Sequence, residues 1–246
     1  MEFPAGGYRF INGVFQYSAG VAASPGHRIR RVRFKSPMQL SDGFGAIEAT
    51  LRDAGRPLAA LCACELRSPA PFSERGFADF NRIYVARLAQ WGLAQGERNP
   101  VARSNVCPAI DPPSEPSLHA FSFTLPGSAA APSFVIAGSG EAAEGGASYG
   151  ESIIRRGDTS PAGMRQKAVF VLAEMERRLK ALGFGWPDTT ATQVYTVHDL
   201  HHFLAEEIVR RGAAPAGLTW HFSRPPVIDI EYEMDCRAVT CEHIIV

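Results

Sequence analysis

Arg103 is the side chain with the clearest chemical use in this sequence. A planar guanidinium holds a carboxylate through two parallel hydrogen bonds, which fixes orientation as well as charge. An imine or enol-ether acid held in this way needs only a placed water and a proton donor or acceptor to be hydrolysed. The competing use is an ion pair at the start of a strand. His119 is able to exchange a proton near neutral pH, or to bond within a strand pair. Asp229, Glu231 and Glu233 alternate with Ile228, Ile230 and Tyr232, so on a regular strand the three carboxylates share one face. One of them could polarise water, with Glu231 the first choice and Asp229 the second. Asn81 and Tyr84 lie three apart on one side of a helix, where Asn81 either bonds a ligand or ties a loop.

Other reactive types carry less. Cys107 shares a strand face with Arg103, but a thiolate nucleophile needs a base and none is assigned, so it reads as a packing cysteine. Cys62 and Cys64 lie in an apolar stretch and read as buried thiols. His198, His201 and His202 surround Asp199, a helix-capping residue, and read as surface histidines rather than metal ligands. Gly138-Ser139-Gly140 is too short to signal a phosphate cradle, and no dinucleotide fingerprint or nucleophile elbow is present. No metal and no cofactor are expected.

The elements that position these residues fall into two series. Asn12-Gly13 joins strands at 8–11 and 14–17, and 29–34 adds a third. Asp42 caps a helix over about 44–54 that Gly55 ends. Next come a buried strand at 58–66, a helix at 77–91 and strands near 103–109 and 117–124. After Pro126 to Pro132, a small-residue linker, the order recurs. There is a strand at 134–137, a helix opened by Ser160 and Pro161 and ended by Gly183, and a strand at 190–197. A helix from Asp199 to about Arg210 and strands at 218–222 and 227–234 complete the series. Leu51-Arg52-Asp53-Ala54-Gly55 runs parallel to Leu179-Lys180-Ala181-Leu182-Gly183. The fold class is therefore α+β, with units at 1–125 and 133–246 and a linker at 126–132, each unit a mixed sheet backed by two helices.

The chain has 246 residues with 25 Lys plus Arg against 25 Asp plus Glu, a balance that gives no general pull on nucleic acid or an anionic membrane. The basic run from His27 to Arg33 alternates with apolar residues and lacks stacking aromatics, so it reads as a strand with a cationic face. The N-terminus lacks a signal-peptide pattern and no apolar run is long enough to span a bilayer, so a cytoplasmic location is expected.

Several of these segments resemble the YjgF/RidA (reactive-intermediate deaminase) family, small α+β proteins that assemble as trimers around a central barrel. Phe77-Ala78-Asp79-Phe80-Asn81-Arg82-Ile83-Tyr84 resembles the second-helix pattern, and Pro100-Val101-Ala102-Arg103-Ser104 the motif that carries the substrate arginine. In the second half, Thr196 to Phe203 resembles the strand-to-helix junction and Val227-Ile228-Asp229-Ile230-Glu231 the closing acidic strand. The resemblance implies that Arg103 binds a substrate carboxylate, and that Tyr17 and Ser18 sit at the pocket. The matching position in the second half is Gly217. The closing-strand acid falls near His119 in the first half and at Asp229 or Glu231 in the second. No half carries both groups, so the site is expected between units.

The resemblance implies a cofactor-independent deaminase or hydrolase of a small unsaturated acid, an imine, enamine or muconate-like compound. Tandem relatives among the chorismatases make hydrolysis of an enol-pyruvyl ether the alternative, and a ligand-binding or assembly protein without activity the third reading. A homotrimer of chains is expected, because two units do not close a three-unit ring.

Overall fold

A computed structural model of the chain describes residues 1–127, 131–143 and 149–245. Positions 128–130 of the linker and 144–148 of the second glycine-rich loop lie outside the described residues.

The chain opens with three short strands, β1 (Glu2–Phe3), β2 (Tyr8–Ile11) and β3 (Gly20–Ala23). A first βαβαββ series comes next: β4 (His27–Gln39), α1 (Leu40–Asp53), β5 (Leu61–Arg67), α2 (Glu74–Gln90), β6 (Ala102–Pro108) and β7 (Ser117–Pro126). Ser73 caps α2, its hydroxyl accepting from Gly76 N. The apolar stripe Phe77, Phe80, Tyr84 and Leu88 of α2 packs with Phe44, Ile47 and Leu51 of α1 onto Leu61, Cys64, Leu66 and Phe121 of the sheet.

The second series is β8 (Phe134–Gly140), a short α3 (Tyr149–Ser152), α4 (Pro161–Ala181), β9 (Ala191–Tyr195), α5 (His201–Phe203), β10 (Leu218–His221), β11 (Ser223–Arg224), β12 (Glu233–Ala238) and β13 (Glu242–Ile245). Ser160 caps α4 with Pro161 in its first turn. Ala168, Val171, Leu172, Met175 and Leu179 pack it onto Phe134, Ile136, Val194 and Met234. Gly55 after α1 and Gly183 after α4 both take a left-handed φ, 65° and 80°, as helix-terminating glycines do.

The central strands of the two series share one order. In the first sheet it is β6-β5-β7-β4, in the second β10-β9-β12-β8. The pairs β5–β6 and β9–β10 are parallel, and the remaining central pairs antiparallel. The edges are exchanged. β1-β2-β3 extends the second sheet at β8, making seven strands, while β11 and β13 extend the first sheet to six. Neither sheet is drawn from one half of the chain alone, because edge pairing depends on which backbones are left open, not on sequence order.

Several boundaries differ from those expected from sequence. Residues 14–17 make an isolated bridge between Val14 and Tyr17, not a strand. β2 instead pairs with β3, leaving 12–19 as a long loop. Helix α1 starts at Leu40, so Asp42 lies in its first turn rather than at its cap. The helix expected from Asp199 begins at His201 and runs into a π-helical stretch, Leu204–Val209. The strand expected at 227–234 begins only at Glu233, as β12, because Asp229 adopts φ 73° and turns the chain before it. Among the described residues, no helix is long and apolar enough to cross a membrane.

Candidate functional site

The two sheets approach each other at β6 and β8, and a cleft of about 460 Å3 opens there. Its walls are the 13–17 loop, the start of α2, β6, the end of β8 and the turn that leads into β12. Volumes of this order are usual for small-molecule sites.

Arg103 forms part of the cleft wall. It is only 3% exposed, and its Nη1 donates to Asn81 Oδ1 at 2.7 Å. Four rings surround its guanidinium, those of Tyr17, Phe77, Phe80 and Tyr84, with Cζ to centroid distances of 5.4, 5.6, 5.9 and 5.0 Å. Ring faces within about 6 Å attract a cation. The rings and Asn81 together hold the guanidinium in place.

Glu233, the first residue of β12, faces the same cleft and is buried. Burial pushes its carboxyl well above the usual carboxylate range. Asp235 and Glu141 act in the same direction, and Arg103 and Arg178 oppose them. The balance of these causes favours the protonated form of the Glu233 carboxyl in the folded chain. Gly138 leaves room for it: a Cβ there would meet Glu233 Oε1 in its present position and crowd Ser104 Cα at 3.3 Å. Across the cleft, Gln16 Oε1 and Asn105 Nδ2 are buried polar atoms with no hydrogen-bond partner among the described residues.

The turn before β12 is pinned from below. Glu141 and Lys167, both fully buried, pair at 3.0 Å, and Lys167 also donates to Ile154 O at 2.8 Å. The Glu141 carboxylate accepts from Glu231 N at 2.7 Å and Tyr232 N at 2.9 Å. This one carboxylate therefore ties the lysine of α4 to the backbone that aims Glu233.

The residues singled out from sequence separate into three groups. Arg103 and Tyr17 line the cleft. Asn81 and Tyr84, at 1% and 0% exposure, lie behind Arg103 and hold it. The others lie elsewhere. Ser18 Oγ donates to the carbonyls of Ile11 and Gly20, closing the loop after β2 rather than meeting a ligand. Glu231 binds His198 Nε2 at 2.8 Å, and Asp229 pairs with exposed Arg156 at 2.7 Å. The left-handed turn at Asp229 breaks the alternation that would have put both beside Glu233. His119 does not line the cleft; its electrostatic neighbours are Arg67, Glu65, Arg31 and Arg33. His201 bonds Asp199 at 2.5 Å and His202 approaches it at 3.4 Å. Among the described residues, no group of three or more His, Cys, Asp or Glu is placed to hold a metal ion.

The histidines do set an acid limit on the fold. Burial and the nearby Arg67 lower His119 to about 3, and the same two causes lower His221 to about 4. Both stay neutral in the folded chain while the unfolded chain binds protons near pH 6.5. Stability is therefore expected to fall as pH drops from about 6.5 toward 4, with the unfolded state taking up the protons. Melting curves of wild type and of His119→Gln between pH 7 and 4 check this: the variant is expected to lose less, and parallel losses would contradict it.

An arginine and a buried glutamic acid thus face one cleft between the two sheets of an α+β chain. The chain belongs to a family described as 2-aminomuconate deaminase CnbZ, whose sequence model matches residues 1–243. It is 52% identical over 245 residues to a 2-amino-5-chloromuconate deaminase of Comamonas testosteroni, covering 99% of this chain and 98% of that protein. Among solved structures, a chorismatase crystal structure is similar with a TM-score of 0.49 and 12% identity, over 94% of this chain and 79% of the other.

Proposed function

We propose that this chain deaminates a 2-aminomuconate-type enamine acid by cofactor-independent hydrolysis in the cleft that holds Arg103 and Glu233. The convergence of those two side chains carries the reading, and the family membership supplies the substrate class. Arg103 receives the carboxylate next to the amino-bearing carbon. Gln16 Oε1 accepts from the amino N–H. Glu233 gives its proton to the carbon β to nitrogen, which converts the enamine to an iminium. Its carboxylate then takes a proton from water as the water oxygen bonds to the iminium carbon. In the resulting carbinolamine Glu233 gives that proton to nitrogen and takes the hydroxyl proton as the C–N bond breaks and the C=O bond forms, which returns the acid to its starting state. One water is consumed, and ammonia and a 2-oxo acid are produced. The cost of a neutral buried acid is small, and the same group serves as acid and then base.

The family match favours loss of an amino group over cleavage of an enol ether, since only the first releases ammonia. Side-by-side incubation of the purified chain with 2-aminomuconate and with chorismate tests the choice. Ammonium from the first and no pyruvate from the second is the expected result; pyruvate from chorismate with no ammonium from aminomuconate would overturn it.

We further propose that the two halves are divergent copies of a YjgF/RidA-like unit joined at 126–132, and that three chains assemble. The shared central strand order supports the first point. Exposed Trp220 and Phe222 near the β10 edge support the second. Light scattering at micromolar concentration is expected to give three times the 26.6 kDa chain mass; a monodisperse monomer would contradict the assembly.

A further inference from the structure

Asn105 lines the cleft two residues beyond Arg103 on β6 and is 3% exposed. Behind it, Ser68 Oγ donates to Asn105 Oδ1 at 2.9 Å. With Oδ1 occupied, Nδ2 is the end left without a partner. A buried donor in that state costs about 1–3 kcal/mol, which a bound acceptor would recover. The site is thus built to receive an acceptor atom at Asn105.

The chemistry of an amino-dienedioate restricts what that acceptor is. The nitrogen lone pair is delocalised into the diene and accepts poorly, and the chain carbons do not accept. Carboxylate oxygens remain. Arg103 sits in its ring cage against α2, held by Asn81, whereas Asn105 is held by Ser68 at the end of β5. The two anchors rest on different elements. Their Cα atoms are about 7 Å apart along one strand face, at roughly 3.3 Å of rise per residue. Two donors displaced along one strand face can each meet one end of an extended diacid.

We infer that Asn105 donates its Nδ2–H to the distal carboxylate of the substrate, making the cleft selective for dicarboxylates over monocarboxylates. The inference rests on the carboxylate-binding role given to Arg103 under the proposed function, and deepens it. It places Asn105 as a specificity residue that touches substrate far from the reacting carbon.

Binding of two unreactive probes separates this from the deaminase reading. Muconate and sorbate share a six-carbon diene and carry two carboxylates and one, respectively. In calorimetric titration, Asn105→Ala is expected to weaken muconate about tenfold or more, the effect of one charge-assisted hydrogen bond, and to change sorbate less than twofold. Asn105→Asp, which puts a repelling acceptor where the donor was, is expected to weaken muconate further than Asn105→Ala. Arg103→Lys weakens both probes. Equal losses for muconate and sorbate in Asn105→Ala, or unchanged muconate affinity, would overturn the inference even if ammonia release from aminomuconate is intact. Conversely, a selective loss of muconate would uphold it even if the chain proved to release no ammonia. If Asn105→Ala fails to fold, Asn105→Asp, which preserves shape, carries the same comparison.

Discussion

Replacing Arg103 is expected to reduce kcat/KM toward 2-aminomuconate by about 10²-fold or more in Arg103→Ala, the loss incurred when a charge-assisted bidentate contact disappears. Arg103→Lys keeps the charge but not the planar fork, so it is expected to restore only part of the loss. The alanine variant also removes the partner of Asn81 Oδ1 and empties a cage of four rings. Its melting temperature is therefore expected to fall by several degrees. The lysine variant isolates the functional part, because its stem still fills much of the cage. Kinetics and muconate titration on Arg103→Lys, with melting as control, provide the check. Wild-type affinity in a folded Arg103→Lys chain would mean that the guanidinium serves only the scaffold.

Glu233→Gln is expected to separate activity from stability. An amide cannot give and take a proton as the carboxyl does, so turnover should drop by about 10²–10⁴-fold, the usual contribution of a positioned acid–base group. Stability should move the other way. The folded chain raises the pKa of Glu233 above its unfolded value, so between those two values the folded state holds a proton that the unfolded state has released. Wild-type stability contributed by this group therefore declines as pH rises above the ordinary carboxylate range. The uncharged amide in Glu233→Gln carries no such penalty. The melting temperature of Glu233→Gln relative to wild type is expected to increase from pH 4 to pH 7, or at least not to fall. A variant that loses stability at pH 7 as well as activity would indicate that Glu233 is a structural partner, not a neutral acid held for catalysis.

Arg103 and its support were legible because they depend on near-neighbour rules. Asn81 and Tyr84 share a helix side, and Arg103 starts a strand that the helix covers. The paired helix ends at Gly55 and Gly183 were legible for the same reason: a left-handed C-terminal residue is a local requirement. Glu233 was visible as one of three alternating acids, but alternation ranks such residues only while the strand is regular. The positive φ at Asp229 ends that regularity, sending Asp229 to Arg156 and Glu231 to His198. The better clue was Gly138, whose missing Cβ makes room for the Glu233 carboxyl; that clearance becomes apparent only once β8 and β12 are paired. Gln16 and Asn105 gave no signal of their own, since an unpartnered amide is a property of its surroundings. The exchange of β1–β3, β11 and β13 between the sheets was not legible either. Edge pairing joins segments far apart in sequence, such as β13 with β4, and strand propensity does not choose among open edges.

If Arg103 and Glu233 together release ammonia from a 2-aminomuconate-type acid, ammonium must appear in step with loss of the diene chromophore. The decisive measurement quantifies both for wild type, Arg103→Lys and Glu233→Gln in parallel, each confirmed folded by its melting curve. Wild type is expected to release one ammonium per diene consumed, Arg103→Lys to do so at a reduced rate, and Glu233→Gln at a rate lower by about 10²-fold or more. Ammonium released at the wild-type rate by folded Glu233→Gln, or none released by wild type, would be incompatible with that chemistry.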